Sequence, residues 1–550
     1  MASTWMWKVA AGAALASLAP AQEVLYDVAG EGPGALHGVA VRPAGDVDAD
    51  GRDDFVVGAM AGGPDGWGRA TVYSGADGSV LHAFDAPAPN TLFAFTVDGA
   101  GDVDDDGFDD LVVGAFKDAT AGPDAGAVRI YSGQDGSLIH ELFGTQPGET
   151  FGRSVARLRG DADGDGHDDV LVGAWLFDAP SLEDSGRAFL VSGATGLPLH
   201  QWRGLGAGDV LGIDVRAAGD VDADGVPDAI LGAYQYKGTP GTGVGPGYAQ
   251  VRSGADGRLI HTLEGEEFED FFGHSVSGAG DVDGDGFDDL VVGSYGDDDF
   301  GIKSGNALVF SGQTGEVLYK LWGDSVDDRF GYAVSGVGDV NGDGLSEIVV
   351  CAYRNDDGGT DSGSVYVFNG PDGALLEKLD GDDAGDLFGW SVAGAGDADG
   401  DGFLDVLVGA WKDDGAGTDA GRALLVSVTP WKDLGDGLAG AFGVPSLTGA
   451  GTLLARDPLT LTLADARPSA ATTLVVGLTL LAAPFAGGVL VPAPDALVTL
   501  STGADGGLQV TASWPEGVPA ETTLLLQAWI ADPAAPQGLS ASNGLSARAP

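Results

Sequence analysis

One phrase, Gly-Asp-Val-Asp-x-Asp-Gly-x-x-Asp or a near copy, is written seven times along the chain, its first aspartates being Asp46, Asp102, Asp161, Asp220, Asp281, Asp339 and Asp397. The intervals are 56, 59, 59, 61, 58 and 58 residues, and self-similarity at a steady period is the signature of a repeat architecture. The same order of text surrounds every copy. An apolar run with Gly-x-Ser-Val leads into the acidic loop, and a second apolar run ends in Gly-Ala-aromatic. After a glycine-rich loop comes a strand such as Ala127 to Tyr131, then a Ser-Gly-x-Asp-Gly turn and a last strand such as Ser137 to Leu142. That is four short strands per repeat. A four-stranded unit cannot bury both its faces alone, whereas seven arranged radially can, so the expectation is an all-β, seven-bladed β-propeller.

The chain ends bear on closure. The seventh repeat stops after one strand, Gly421 to Val428, without the turn and strand that should follow. That missing strand is found near the N-terminus, where Glu23 to Asp27 matches Gly136 to Glu141 in pattern. An N-terminal strand completing the last blade would remove two open edges and tie the ring shut. The predicted organisation is a signal peptide over 1–21, a propeller over 22–430 and a C-terminal β-sandwich over 431–550, with Trp431 to Gly437 as a linker.

The acidic loop has a physical reading. Carboxylates at positions 1, 3, 5 and 9 converge on one point, Gly at position 6 permits the sharp turn, and the position-7 carbonyl adds an oxygen. The residues are Asp46, Asp48, Asp50 and Asp54; Asp102, Asp104, Asp106 and Asp110; Asp161, Asp163, Asp165 and Asp169; Asp220, Asp222, Asp224 and Asp228; Asp281, Asp283, Asp285 and Asp289; Asp339, Asn341, Asp343 and Glu347; and Asp397, Asp399, Asp401 and Asp405. A flexible, many-oxygen site suits Ca²⁺ better than Mg²⁺, which prefers a tight octahedron and keeps its water. Without an ion, like charges ~4 Å apart repel by about 4 kcal/mol per pair. About seven calcium sites are therefore expected, in a fold that loosens in chelator or acid. Turn formation alone explains one Asp-Gly loop, not seven in phase.

Composition narrows the partners. The net charge is −57, which argues against nucleic acid or an anionic membrane, since both demand clustered basic residues. A hydrophobic fraction of 44% argues against disorder. The N-terminus reads as a secretory signal, with Lys8 ending a short basic region, Val9 to Leu18 apolar, and Ala19-Pro20-Ala21 as cleavage site. Cys351 is the single cysteine, so calcium takes the place of disulfides as a staple. The uncharged stretch Ala471 to Val491 contains Pro484, Gly487 and Gly488 and is read as two buried strands around a turn, not a membrane span.

At this point the chain resembles the FG-GAP repeat family, the propeller of integrin α subunits. The FG element stands as Phe151-Gly152, Phe272-Gly273, Phe330-Gly331 and Phe388-Gly389, and is altered to His37-Gly38, Phe93-Ala94 and Leu211-Gly212. The GAP element runs from Gly58-Ala59-Met60 through Gly114-Ala115-Phe116, Gly173-Ala174-Trp175, Gly232-Ala233-Tyr234, Gly293-Ser294-Tyr295 and Cys351-Ala352-Tyr353 to Gly409-Ala410-Trp411, with Pro absent from its third place. The resemblance covers residues 23–430. It implies a calcium-binding propeller used for adhesion or ligand binding. The ending, Gln527 to Pro533 with Ser540 to Asn543, is similar to C-terminal domains on secreted planctomycete-type bacterial proteins.

Catalytic signatures are weak. His82, His140, His200 and His261 share one strand position, His37 and His274 lie at the FG element, and His167 lies in an acidic loop; such placement in repeat phase marks structure. Arg159-Gly160-Asp161 spells an adhesion tripeptide, but its aspartate is the first ligand of the third loop. Strand direction puts Phe116, Trp175, Tyr234, Tyr295, Tyr353 and Trp411 on the face opposite the acidic loops, as a ligand-binding surface or as packing around the axis. Lys237 to Gly247 is the most variable insertion there. The expected function is a secreted, non-catalytic module of adhesion or recognition, with a protein or glycan ligand and no nucleic-acid partner or membrane span. The alternatives are a carbohydrate- or lipid-acting enzyme, with Asp297 to Asp299 as loose candidates, or a structural surface component.

Overall fold

The computed structural model describes residues 23–548 apart from 236–244, 399–402, 430, 436, 452, 454–457, 515–517 and 519–521. The proposed signal segment and most of the Lys237 to Gly247 loop lie outside the described residues. The larger of two compact units comprises Gln22–Val340 and Leu345–Ser427. Among the described residues it consists of seven four-stranded antiparallel sheets. Six follow chain order, as in His37–Gly45, Asp54–Ala59, Arg69–Tyr73 and Val80–Asp85. The seventh is ordered Glu23–Ala29, Arg422–Ser427, Asp405–Ala410, Ser391–Gly396. The N-terminal strand therefore supplies its outer edge, with Val24 opposite Val426 and Ala29 opposite Arg422, and Arg422 Nε donates to Asp27 Oδ1 at 2.7 Å.

Burial explains the sequence texture. The second strand of a sheet, such as Asp110–Ala115, is buried along its whole length, because both of its faces meet neighbouring sheets. That is why it reads as one continuous apolar run. The outer strand, such as Leu259–Glu264, is exposed or half-buried at every position but one. The apolar clusters lie between sheets: Val56, Val72 and Phe84 of the first pack with Phe93, Leu111 and Val113 of the second. First strands touch in succession around the unit, and His37–Gly45 also packs on Ser391–Gly396. The junction between first and last sheets has an apolar core of the same kind, with Phe55 and Tyr73 against Leu407 and Leu425. These sheets are the blades of a β-propeller, and the FG and GAP elements are its contact points. A Cβ on Gly58, Gly114, Gly173, Gly232, Gly293 or Gly409 would lie 1.9–2.3 Å from the carbonyl oxygen of the residue after the FG aromatic (or its substitute) in the adjoining sheet. Cys351, at the seventh such place, is buried, and the Ala333 N–H donates to its Sγ at 3.1 Å.

The smaller unit, which takes in Asn341–Gly344 as well as Val428–Pro550, has a five-stranded sheet, a three-stranded sheet and a two-stranded ribbon. Leu447, Leu461 and Leu463 from one large sheet and Leu474, Leu526 and Leu545 from the other share one apolar core. Trp431 is not part of a linker. It opens the strand Trp431–Gly435, is buried in that core, and its Nε1–H donates to Gly451 O at 3.0 Å. The uncharged stretch also differs from expectation. It holds three strands, Ala471–Gly477, Leu480–Phe485 and Gly488–Pro492, and the middle one is largely exposed. Pro484 belongs to the exposed ribbon strand, where a missing N–H is tolerated. Among the described residues, no helix is long and apolar enough to cross a membrane.

Candidate metal loops and the opposite face

The first five acidic loops are each wound around their first aspartate. Asp46 accepts the N–H groups of Asp50 and Gly51, both at 2.9 Å, while Asp50 Oδ1 accepts Arg52 N–H at 2.9 Å. The fifth loop repeats the winding: Asp281 accepts Gly284 and Gly286, Asp283 accepts Asp285, and Asp285 accepts Phe287. These bonds draw carboxylates together. In five loops three carboxylate oxygens lie within 4.8 Å of one another: Asp46, Asp48 and Asp50; Asp102, Asp104 and Asp110; Asp161, Asp163 and Asp169; Asp220, Asp222 and Asp228; Asp281, Asp283 and Asp285. Asp106, Asp165 and Asp224 complete none of these triads, nor do Asp54 and Asp289. In the sixth loop Asn341 replaces one carboxylate and its Oδ1 accepts the Asp343 N–H at 2.9 Å. Asp399 and Asp401 of the seventh lie outside the described residues.

Position 9 does more than face the loop centre. Asp54 is fully buried, with Oδ2 accepting Val47 N–H at 2.7 Å and Oδ1 accepting Gly75 N–H at 2.9 Å. It buckles the acidic loop to the Ser-Gly turn. Asp110, Asp169, Asp228 and Asp289 make the same pair of bonds. Burial pushes the carboxyls of Asp54, Asp110 and Asp228 up to about 7, and those of Asp169 and Asp289 up to about 6. Desolvation, then the neighbouring aspartate, also raises Asp48, Asp104 and Asp163. A cation among them reverses both effects. Asp222 Oδ1 is buried without a hydrogen-bond partner. An all-oxygen donor set with an orphaned carboxylate oxygen fits a hard divalent ion.

Two features escaped the sequence reading. Position 8 reaches back to the preceding loop: Asp109 Oδ2 accepts Asp46 N–H at 2.8 Å, Asp168 accepts Asp102 at 3.2 Å, and Asp288 accepts Asp220 at 2.8 Å. The recurring Asp-Asp doublet was the available signal. The histidines in repeat phase are latches. His82, His140, His200 and His261 each donate from Nε2 to a glycine carbonyl of the next sheet, Gly133, Gly193, Gly254 and Gly312, at 2.6–3.1 Å. Tyr319 does the same to Gly370. In the last sheet the N-terminal strand places Tyr26 against Gly78, where His82 stands against Gly136.

At the other end, five of the six aromatics pack edge-on or tilted against rings that follow the FG element, and Trp175 meets Arg153. Phe116 meets Phe95, Tyr234 and Tyr295 meet His274, and Tyr353 and Trp411 meet Trp390, with centroids 4.8–5.5 Å apart. Arg153 lies over Phe95 at 4.7 Å and over Trp175 at 5.8 Å. Phe116 and Tyr234 are buried and the other four half-buried. A second repeated position lies two residues ahead of FG, where Glu149, Asp209, Asp270, Asp328 and Asp386 are all buried. Each is handled differently. Arg187 pairs with Glu149 at 2.7 Å, Tyr248 Oη donates to Asp209 at 2.8 Å, and Asn355 Nδ2 donates to Asp328 at 2.9 Å. Asp270 and Asp386 face Asp297 and Asp413, and burial followed by that repulsion lifts them to about 6 and about 7.

The FG-GAP repeat family matches at residues 272–317 and 330–368. Integrin alpha-5 of Xenopus laevis is 29% identical over 230 residues, covering 38% of this chain and 21% of that protein. Integrin alpha-V of Gallus gallus is 32% identical over 208 residues, 36% of this chain and 20% of that one. Integrin alpha-IIb of Homo sapiens is 35% identical over 167 residues, 28% and 16% respectively. The chain thus spans about a fifth of the length of these relatives.

Proposed function

We propose that this chain, which carries FG-GAP repeats and has integrin α chains among its homologues, is a secreted, calcium-loaded and non-catalytic propeller that recognises an extracellular protein or glycan. The observation that carries the reading is the carboxylate triad found in five sheets, always with positions 1 and 3 and with either position 5 or position 9 as the third member. A triad of oxygens held by backbone N–H bonds is a ready cage for Ca²⁺, with Asp46, Asp48 and Asp50 in the first loop and their counterparts in the others as ligands. The sixth and seventh loops complete the set. Calcium supplies charge neutralisation and cross-links each loop to its own sheet. Recognition then falls to the opposite face, where loops differ from repeat to repeat and Trp175, Tyr295, Tyr353 and Trp411 are half-buried. The smaller unit has no assigned role in this reading.

Calorimetric titration of the chelated protein with Ca²⁺ tests the proposal. Five or more equivalents are expected, and Asp285→Ala should lower the count by one. No uptake, or an unchanged count in the variant, would remove the loop assignment. Calcium-dependent capture of native extracellular protein or glycan by the intact chain tests recognition separately.

A further inference from the structure

The closed ring of first strands encloses an axial chamber of about 420 Å³ beside the acidic-loop end. Its wall carries Arg42, Arg157, Arg159 and Arg216, in a chain with only 26 basic residues against 83 acidic ones. Most other arginines described are bound to carboxylates, as Arg69, Arg129, Arg187, Arg354 and Arg422 are. Of the axial group, only Arg216 has a carboxylate within ion-pair distance among the described residues. Arg42 Nη1 donates to the carbonyls of Val41 and Val392 at 2.7 and 3.1 Å. Arg216 Nη1 donates to those of Val215 and Val155 at 2.8 and 3.2 Å, with Asp214 beside Nη2 at 3.2 Å. Arg157 and Arg159 make no ion pair among the described residues, and Arg157 Nε is buried without a hydrogen-bond partner. Asp98, on the same wall, is buried and makes no ion pair among the described residues, but all four arginines favour its charged form against the desolvation that raises it. Of the other wall aspartates, Asp288 accepts the Asp220 N–H, Asp53 is packed against Gly396, and Asp220 belongs to the fourth acidic loop.

Backbone strain marks the same place. In six repeats the residue before the first aspartate is a glycine with φ of 71–81°, as at Gly45 and Gly396. In the third repeat Gly160 occupies that place in the sequence, but the left-handed conformation falls on Arg159, at 71°. A long side chain is held in a conformation that the other repeats reserve for glycine. Such strain persists where the surroundings impose it, and it clusters at ligand sites. Its consequence here is one more guanidinium in the chamber. The arginines also repel one another: burial, then Arg216, lowers Arg42 to about 10, and burial, then Arg157, lowers Arg159.

We propose that the axial chamber binds a small dianion carrying its charge on carboxylate or sulfate oxygens, held by Arg157 and Arg159 with Arg42 and Arg216 as fixed walls. A planar guanidinium matches such oxygens two at a time. Large polyanions are kept out by the acidic exterior, while a compact solute fits the volume. The site is independent of the recognition face and of the identity of any macromolecular partner.

The test titrates the calcium-saturated intact protein with sulfate and, separately, with succinate, against sodium chloride of matched ionic strength. Saturable binding of one equivalent of either probe is expected. Arg159→Gly removes a guanidinium and the strain together, so it should melt higher than the wild type without probe yet bind about tenfold more weakly. Arg157→Gln should weaken binding similarly, and Arg69→Gln, at an ion pair with Asp85 outside the chamber lining, should leave it unchanged. Absence of saturable binding for both probes, equal binding by Arg159→Gly, or equal loss in Arg69→Gln would each overturn the proposal.

Discussion

The two ends of the blades solve their local problems in opposite ways. At the acidic-loop end the same residue types make the same bonds in sheet after sheet: position 1 winds the loop and position 9 buckles it to the turn. At the other end the buried acid ahead of FG meets Arg187 in one blade, Tyr248 in another, Asn355 in a third and only further carboxylates in two more. A constant arrangement suits one constant guest. A varied arrangement needs only to be packed, which leaves its loops free to differ. On the proposed reading, the ion belongs to one end and specificity to the other.

Chelation is the strongest way to break that contrast. Each loop saturated at a hundredfold excess of calcium contributes about 2.7 kcal/mol. Loss of the ion from five loops should lower the melting temperature in EGTA by on the order of 10 °C. A melting curve indifferent to EGTA would mean that hydrogen bonds alone hold the acidic loops, and the two ends would no longer differ in kind.

The next largest effect belongs to the opposite end. Arg187→Leu leaves the buried Glu149 carboxylate without its cation, which costs about 3–5 kcal/mol by chemical denaturation. Thr145 and Gln146 still donate N–H bonds to Glu149, so the lower half of that range is expected. Adding Glu149→Leu should recover part of the loss, because a paired apolar replacement leaves no orphaned charge. Calcium stoichiometry should be unchanged in both variants.

What the sequence disclosed follows the same division. Seven equal phrases made the blades, the closing strand at Glu23 and the carboxylate loops legible, because a period needs no knowledge of three-dimensional contacts. The position-8 bridges and histidine latches were equally periodic. They went unread because their partners lie in the next blade, some 50–70 residues away. Arg159 was visible as a residue and invisible as a strained one, since a φ cannot be read from composition. The smaller unit has no internal repeat to correct a local misreading, and so Trp431 passed for linker and Leu480–Phe485 for a buried strand.

A pH experiment sharpens the comparison at the varied end. Asp386 titrates near 7 in the folded chain because it is buried beside Asp413, Asp383 and Asp414, with Arg422 the opposing cation. Its folded value lies above the ordinary 3.8, so the native state holds the extra proton between about pH 4 and 7. Stability from this group is therefore greatest below that window and falls as pH rises through it. Asp386→Asn should be more stable than wild type at pH 8, by on the order of 2 kcal/mol after allowance for solvent. At pH 4 the two should be nearly equal. An equal difference at both pH values would show that packing, not charge, separates them.

The smallest effect concerns a latch that joins one blade to the ion loop of the next. Gly312 accepts from His261 Nε2 at 2.7 Å and donates its own N–H to Asp289 Oδ1 at 2.9 Å. His261→Phe keeps the ring against Gly315 and removes only the donor, at a cost of about 0.5–1.5 kcal/mol. Water can reach the half-exposed ring position, which favours the lower figure. Asp289 keeps both of its backbone bonds, so the number of calcium ions bound should stay the same while the melting temperature falls slightly. A lost ion in His261→Phe would show that the latch sets the loop geometry through the Ser-Gly turn, and the acidic-loop end would then depend on its neighbouring blade as much as on its own aspartates.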